Sequence, residues 1–280
     1  MRKKMLFAVF SVLVILAVAV IPAAAVTDGQ PDGDGHPFVG LMVAYDEHGD
    51  ALWRCSGTLL SPTVFLTAGH CTEAPAVSAT VWFDADVQAL PTCFNGEIGD
   101  ACYPFGGGDS YFGSHVYTHP QFYNAPFFVH DVGVVLLSEP AFMDTYGVLP
   151  AANYLDSFKT KRGQNDLWFT AVGYGLQQSF PDAASWKEHN VKVRMVAYPK
   201  LNQINVPGFT GSFSMLLSNN ANTGGTCFGD SGGPNFLRDT NIVAGVTSYA
   251  INGNCAGTGG VFRMDRPDVL SFLASFLIDD

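Results

Sequence analysis

Short apolar runs that alternate with a period of two residues, each closed by glycine, proline, asparagine or aspartate, recur along this chain. Alternation of this kind sends successive side chains to opposite faces of an extended backbone, so it specifies many short antiparallel strands. The runs cover residues 38–45, 56–60, 64–67, 78–83, 132–137, 168–173, 191–197 and 242–248. Helical spacing stands out at the C-terminus, where Val269, Leu270, Phe272, Leu273, Phe276 and Leu277 recur at three and four residues. Pro267 suits a first helical position there, and Asp265 and Asp268 suit the positive end of the helix dipole. The expected fold class is all-β, closed by one C-terminal α-helix.

The first 25 residues read as an address rather than as structure. Arg2, Lys3 and Lys4 precede an apolar run over 5–21, and Ala23, Ala24 and Ala25 supply a small-residue cleavage site. The run of about 17 residues sits at the short end of the roughly 17 to 25 that span a bilayer. Residues 1–25 are therefore expected to be a signal peptide, and the product to be secreted, extracellular and free of the membrane after cleavage. The chain carries a formal charge of −11, and losing three leader cations leaves −14. Such acidity argues against nucleic acid as a partner. Six cysteines behind a signal peptide imply an oxidising compartment and disulfides, with connectivity open among 15 pairings. A polar connector over 150–166 marks the middle of the chain, and 92–113 and 176–190 read as long surface loops.

A hydroxyl is a poor nucleophile near neutral pH and needs a base, a group that orients the base, and donors for the developing oxyanion. Gly229-Asp230-Ser231-Gly232-Gly233-Pro234 places a serine among glycines that let backbone N–H groups approach a carbonyl. Spelled only as G-x-S-x-G, the segment is also compatible with the nucleophile elbow of α/β-hydrolases, in which the histidine follows the serine. All seven histidines precede Ser231, so the base comes from upstream. His70 ends the run 65–71 in a small-residue turn. Asp131 opens an apolar strand, where a carboxylate is costly unless paired, and a histidine is its natural partner.

The segments TAGHC, HDVGVVLL and GDSGGP resemble the three catalytic blocks of the trypsin and chymotrypsin family, in its His, Asp, Ser order. Trp53-x-Cys55-Ser-Gly-Thr-Leu-Leu and Gly173-Tyr174-Gly175 extend the likeness from about residue 26 to the C-terminal helix. The resemblance implies two perpendicular six-stranded antiparallel β-barrels, one in 26–150 with His70 and Asp131, the other in 151–280 with Ser231. It implies a serine endopeptidase with a His70, Asp131 and Ser231 triad and an oxyanion hole from the N–H groups of Gly229 and Ser231. Ser248, beside Tyr249, would pair with substrate backbone, and Gly225, Ala250 and Gly260 would line an uncharged primary pocket suited to apolar residues. The pairs Cys55–Cys71 and Cys227–Cys255 follow from the same likeness, which leaves Cys93 with Cys102. Cleavage after Ala25 would expose Val26, whose ammonium would pair with Asp230, although Thr27 and Asp28 depart from the family's usual terminus.

No cofactor or metal is expected. His115 and His119 are four apart, but Pro120 opposes the helix that would align them as ligands, and His130 reads as a neighbour of Asp131 rather than as the base. Partners would be protein or peptide substrates and protein inhibitors, with the enzyme a monomer. Two alternatives stay open at this point, a non-catalytic binding module of the same fold and a secreted esterase.

Overall fold

The computed structural model describes residues 26–90, 107–124, 127–159, 166–177 and 191–277. Residues 1–25, and with them the signal-peptide reading, lie outside the described residues, as do Cys93 and Cys102 and most of the expected loops. No described helix is long and apolar enough to cross a membrane.

The strands run in chain order as β1 (Gln30–Pro31), β2 (Val39–Tyr45), β3 (Ala51–Leu59), β4 (Val64–Thr67), β5 (Ser78–Trp82), β6 (Ser110–Thr118), β7 (Tyr123–Asn124), β8 (Phe127–Val129) and β9 (Gly133–Leu137) in the first half. Six of them close into a barrel in the order β2-β3-β4-β9-β6-β5. The alternating residues specify this closure: β2 pairs with β3 on one side, Leu41 opposite Ser56, and with β5 on the other, Leu41 opposite Trp82. Phe38, Met42, Phe65, Val81 and Val135 fill the interior. Closing the sheet removes the open edges that would otherwise pair with other chains.

The second half contributes β10 (Phe169–Gly173), β11 (Met195–Ala197), β12 (Leu201–Val206), β13 (Gly211–Asn219), β14 (Pro234–Leu237), β15 (Val243–Ala250) and β16 (Gly257–Arg263). With β1 added at one edge they form an eight-stranded sheet, β1-β11-β10-β14-β15-β16-β13-β12. The sheet curls around Phe169, Leu201, Met215, Leu217 and Val261. An isolated bridge between Trp168, beside β10, and Lys200, beside β12, brings β12 round to β10, flanked by the Leu201 N–H on Leu167 O at 2.8 Å. The second barrel is thus a half-barrel completed by one bridge.

Several strands depart from the alternating runs. In the 191–197 run the strand itself starts at Met195, Val193 makes an isolated bridge to Asp86, and Lys192 and Arg194 are buried. The Arg194 guanidinium is spent on Asp32 Oδ2 at 3.1 Å, Val39 O, Phe83 O and Gly33 O, tying the N-terminal segment to both halves. β6 begins inside the stretch read as a surface loop, at Ser110. The C-terminal helix, α1 (Pro267–Ala274), has Pro267 in its first turn and buries Val269 and Leu273 against the first barrel's core. Asp265 does not serve its dipole; it accepts Leu155 N–H at 2.8 Å and pairs with the buried Arg263.

Candidate active site

β4 delivers the chain into a short 3₁₀ turn, Gly69–Cys71, that lifts His70 out of the barrel. Cys71 in that turn is linked to Cys55 on β3, with the α-carbons 6.2 Å apart. Asp131 stands at the entry to β9, which pairs with β4, so the ladder that builds the barrel also brings the two side chains together. His70 Nδ1 lies 3.1 and 3.0 Å from the two Asp131 carboxylate oxygens, and the His70 backbone N–H donates to Oδ1 at 2.9 Å. Ser248, on β15 of the other sheet, donates its hydroxyl to Asp131 Oδ2.

Electrostatics follow from this geometry. Burial opposes charge on Asp131, but His70, the Ser248 hydroxyl and the His70 N–H outweigh it and hold the carboxyl below its ordinary range. Burial likewise opposes an imidazolium at His70, and Asp131 together with Glu73 outweighs it, raising His70 above 6.5. A carboxylate fixed on Nδ1 leaves Nε2 as the basic nitrogen of the neutral ring.

Ser231 faces His70 across a cleft of about 520 Å³ whose lining also includes Trp53, Phe122, Thr226, Phe228 and Tyr249. The serine hydroxyl makes no hydrogen bond among the described residues, so it is free to turn toward the imidazole. Around it the backbone is held tightly. Gly232 N–H donates to Thr247 O and Gly233 N–H to Asp230 O, both at 2.8 Å. Gly229, at a φ of 93°, is in a conformation that suits glycine. The N–H groups of Gly229 and Ser231 have no acceptor among the described residues, which leaves two adjacent donors beside the hydroxyl.

Asp230 is fully buried beneath this loop and accepts Gly175 N–H at 2.8 Å and Cys227 N–H at 2.9 Å. Burial dominates, against those two bonds and the charge of Arg54, and pushes its carboxyl up to about 7. Val26 is buried against Met195 and Ala197, and Thr27 bridges to Gly225.

Ser248, Tyr249 and Ala250 line the cleft, while Gly225 and Gly260 do not. A β-carbon on Gly225 would lie 2.3 Å from Asn219 Cγ, and one on Gly260 would lie 2.2 Å from the Tyr249 ring. The two glycines therefore make room for side chains that stand in their place. Neither Asn219, which packs against Gly225, nor Ser56, whose hydroxyl donates to Gly229 O at 2.9 Å, was singled out by the sequence, since only the folded arrangement brings them beside those glycines. Cys227 and Cys255 are linked, with the α-carbons 5.4 Å apart. His130 Nδ1 lies 2.7 Å from Asp268 and its ring stacks on His119. His119 Nδ1 accepts Gln121 N–H at 3.2 Å, and His115 meets Ser114 on the surface.

A sequence profile described as Trypsin matches residues 34–265. The chain belongs to the trypsin family. Serine protease 1 of Drosophila melanogaster is 25% identical over 240 residues, spanning 85% of this chain and 80% of the relative. A collagenase of Hypoderma lineatum is 26% identical over 204 residues, 72% of this chain and 67% of that protein. Among solved structures, an HL collagenase superposes with a TM-score of 0.64 at 19% identity, covering 90% of this chain and 98% of the other. Human heparin binding protein gives 0.63 at 15% identity, covering 91% and 97%. These two likenesses concern the fold.

Proposed function

We propose that this chain is a secreted serine endopeptidase in which His70, Asp131 and Ser231 act as one unit. The observation that carries the reading is the Asp131 carboxylate fixed on His70 Nδ1 across the cleft from a free Ser231 hydroxyl. Ser231 Oγ attacks the substrate carbonyl carbon while His70 Nε2 takes its proton, and Asp131 stabilises the imidazolium that forms. The carbonyl oxygen becomes an anion held by the Gly229 and Ser231 N–H groups, a contribution worth roughly 10²- to 10³-fold in rate per donor. His70 then protonates the departing amine, and water repeats the sequence to release the acid and restore Ser231.

Two finer assignments belong to the same reading. The cleft wall of Phe228, Tyr249 and Ala250 carries no charge, which favours cleavage after Leu, Phe, Tyr or Met. Release of Val26 by signal-peptide removal supplies an ammonium for Asp230, which is buried without a carboxylate-neutralising ion pair among the described residues. Labelling of the secreted protein with a fluorophosphonate, lost in Ser231→Ala, tests the triad. A chain that resists the probe while folded is a binding module instead, and one that cleaves lipid esters but not peptides is an esterase.

A further inference from the structure

One charged group in the cleft has no part in the proposed mechanism. Two acids line the cleft, Asp131 and Glu73. Asp131 is balanced by His70 and by the Ser248 hydroxyl. Glu73 follows the 3₁₀ turn that carries His70 and has no ion-pair or side-chain hydrogen-bond partner among the described residues. No lysine or arginine lines the cleft to neutralise it. Its charge reaches His70, where it favours the imidazolium. Together with Phe122 it also borders an adjoining depression of about 340 Å³, whose lining continues through Pro120 and the largely exposed Tyr123. A carboxylate beside aromatic faces suits a guanidinium: the acid supplies opposite charge and acceptors, and the rings offer surfaces on which the planar cation stacks.

We infer that Glu73 is a specificity-determining residue that selects a cationic side chain, arginine foremost, at the substrate residue just before the one whose carbonyl is attacked. This rests on the protease reading and deepens it. In that reading the substrate lies extended along β15, and successive side chains of an extended chain point to opposite faces. The attacked residue turns its side chain to the wall of Phe228, Tyr249 and Ala250, so the residue before it turns the other way, toward His70, Phe122 and Glu73, which line the same cleft. A substrate that covers Glu73 strips water from its carboxylate, which is costly unless the covering side chain brings donors or an opposite charge. Arginine brings both, an apolar side chain neither, and an acidic one adds repulsion.

The test compares kcat/KM of the mature enzyme on three peptides with leucine at the attacked residue and arginine, citrulline or glutamate before it, the cleaved bond being read from product masses. Citrulline keeps the planar shape of arginine without its charge. The wild type should prefer arginine over citrulline by about five- to tenfold, between the yield of an exposed ion pair and that of a buried charge-assisted hydrogen bond. It should disfavour glutamate, and the arginine preference should shrink as salt is raised. In Glu73→Gln the arginine-to-citrulline ratio should fall to unity; the ratio is taken on one enzyme at one pH, so any effect of the substitution on His70 cancels. In Glu73→Lys, glutamate should replace arginine as the preferred residue. Equal rates on arginine and citrulline by an active wild type overturn the inference and leave the protease reading standing. An arginine preference that survives Glu73→Gln, or cleavage after the arginine itself, does the same. Absence of hydrolysis of every peptide overturns both. Should a variant not fold, the three-peptide comparison on the wild type decides alone.

Discussion

Retaining one residue ahead of Val26 should weaken the protein most at neutral to alkaline pH, and Asp230 sets the size of the effect. While the Ala25–Val26 peptide bond is intact, residue 26 carries no ammonium, and burial raises the Asp230 carboxyl from 3.8 to about 7. The folded state then binds this proton more tightly than the unfolded chain. That contribution to stability is complete below 3.8 and is lost as the pH rises through about 7. At about 1.4 kcal/mol per tenfold, holding the group ionised costs about 4 kcal/mol at pH 7.5 and under half of that at pH 5. A Val26 ammonium beside the carboxylate would offset most of this. The perturbation is a pair of otherwise identical proteins, one beginning at Val26 and one at Ala25, compared by urea unfolding at both pH values and by fluorophosphonate titration of active sites. The form beginning at Val26 should be the more stable at pH 7.5 by up to about 4 kcal/mol, with the gap narrowing at pH 5, and should titrate more fully. Equal stability and equal titration at both pH values would refute the reasoning, as would a secreted active enzyme whose N-terminus lies well downstream of Val26.

The pH profile of kcat/KM should rise through an inflexion above 6.5, because the base works only as the neutral ring and Asp131 favours its charged form. In Asp131→Asn that inflexion should move down, since burial is then opposed only by Glu73, and the rate should fall by about 10⁴-fold as the ring loses its tautomer. Removing Cys227–Cys255, which spans 28 residues, should cost about 3.6 kcal/mol in denaturant titration, and removing Cys55–Cys71, which spans 16, about 3.1 kcal/mol. Gly232→Ala should slow fluorophosphonate labelling by at least about 10²-fold, because residue 232 has a φ of 78° and a β-carbon there would meet Thr67 Oγ1 at 2.0 Å. Labelling at the wild-type rate in that variant would show that the loop tolerates the displacement.

What the sequence discloses depends on whether a signal is local. β2, β4 and β5 pair through uninterrupted alternation and were legible within a residue or two. β12 was not, because its register shifts twice, between Leu201 and Gln203 and between Ile204 and Val206, and each shift breaks the period of two. β16 escaped for a related reason: Gly257, Gly259 and Gly260 remove the side chains that alternation is read from, and Gly260 is small because the Tyr249 ring lies across it. Nothing local announces that Lys192 and Arg194 are buried, because Asp32, which meets Arg194, is 162 residues away. His70, Asp131 and Ser231 were legible as candidates because each sits in a contiguous motif, whereas nothing local announces that Asn219 stands against Gly225.

In the proposed mechanism, the placement of Ser56 accounts for how one reaction is divided between two sheets. His70 and Asp131 belong to the closed barrel and Ser231 to the loop ahead of β14, so the geometry of the three depends on how rigidly the halves are joined. Ser56 lies on β3 with no exposed surface, and its N–H donates to Ser231 O at 2.8 Å while its hydroxyl donates to Gly229 O at 2.9 Å. The same hydroxyl accepts Tyr174 N–H at 2.9 Å, and its carbonyl accepts Thr67 Oγ1 at 2.8 Å, one turn from His70. One residue, through its hydroxyl and its backbone N–H, thus holds Gly229 and Ser231 against the strand pair that leads to His70. Each bond contributes only about 1 kcal/mol to stability, yet a displacement of about 1 Å at the reacting atoms can cost about 10²-fold in rate. The value of Ser56 is therefore positional. Its hydroxyl could not be replaced by a methyl group of similar size without leaving Gly229 O and Tyr174 N–H to find new partners, and the loop that presents the Gly229 and Ser231 N–H groups would move to do so.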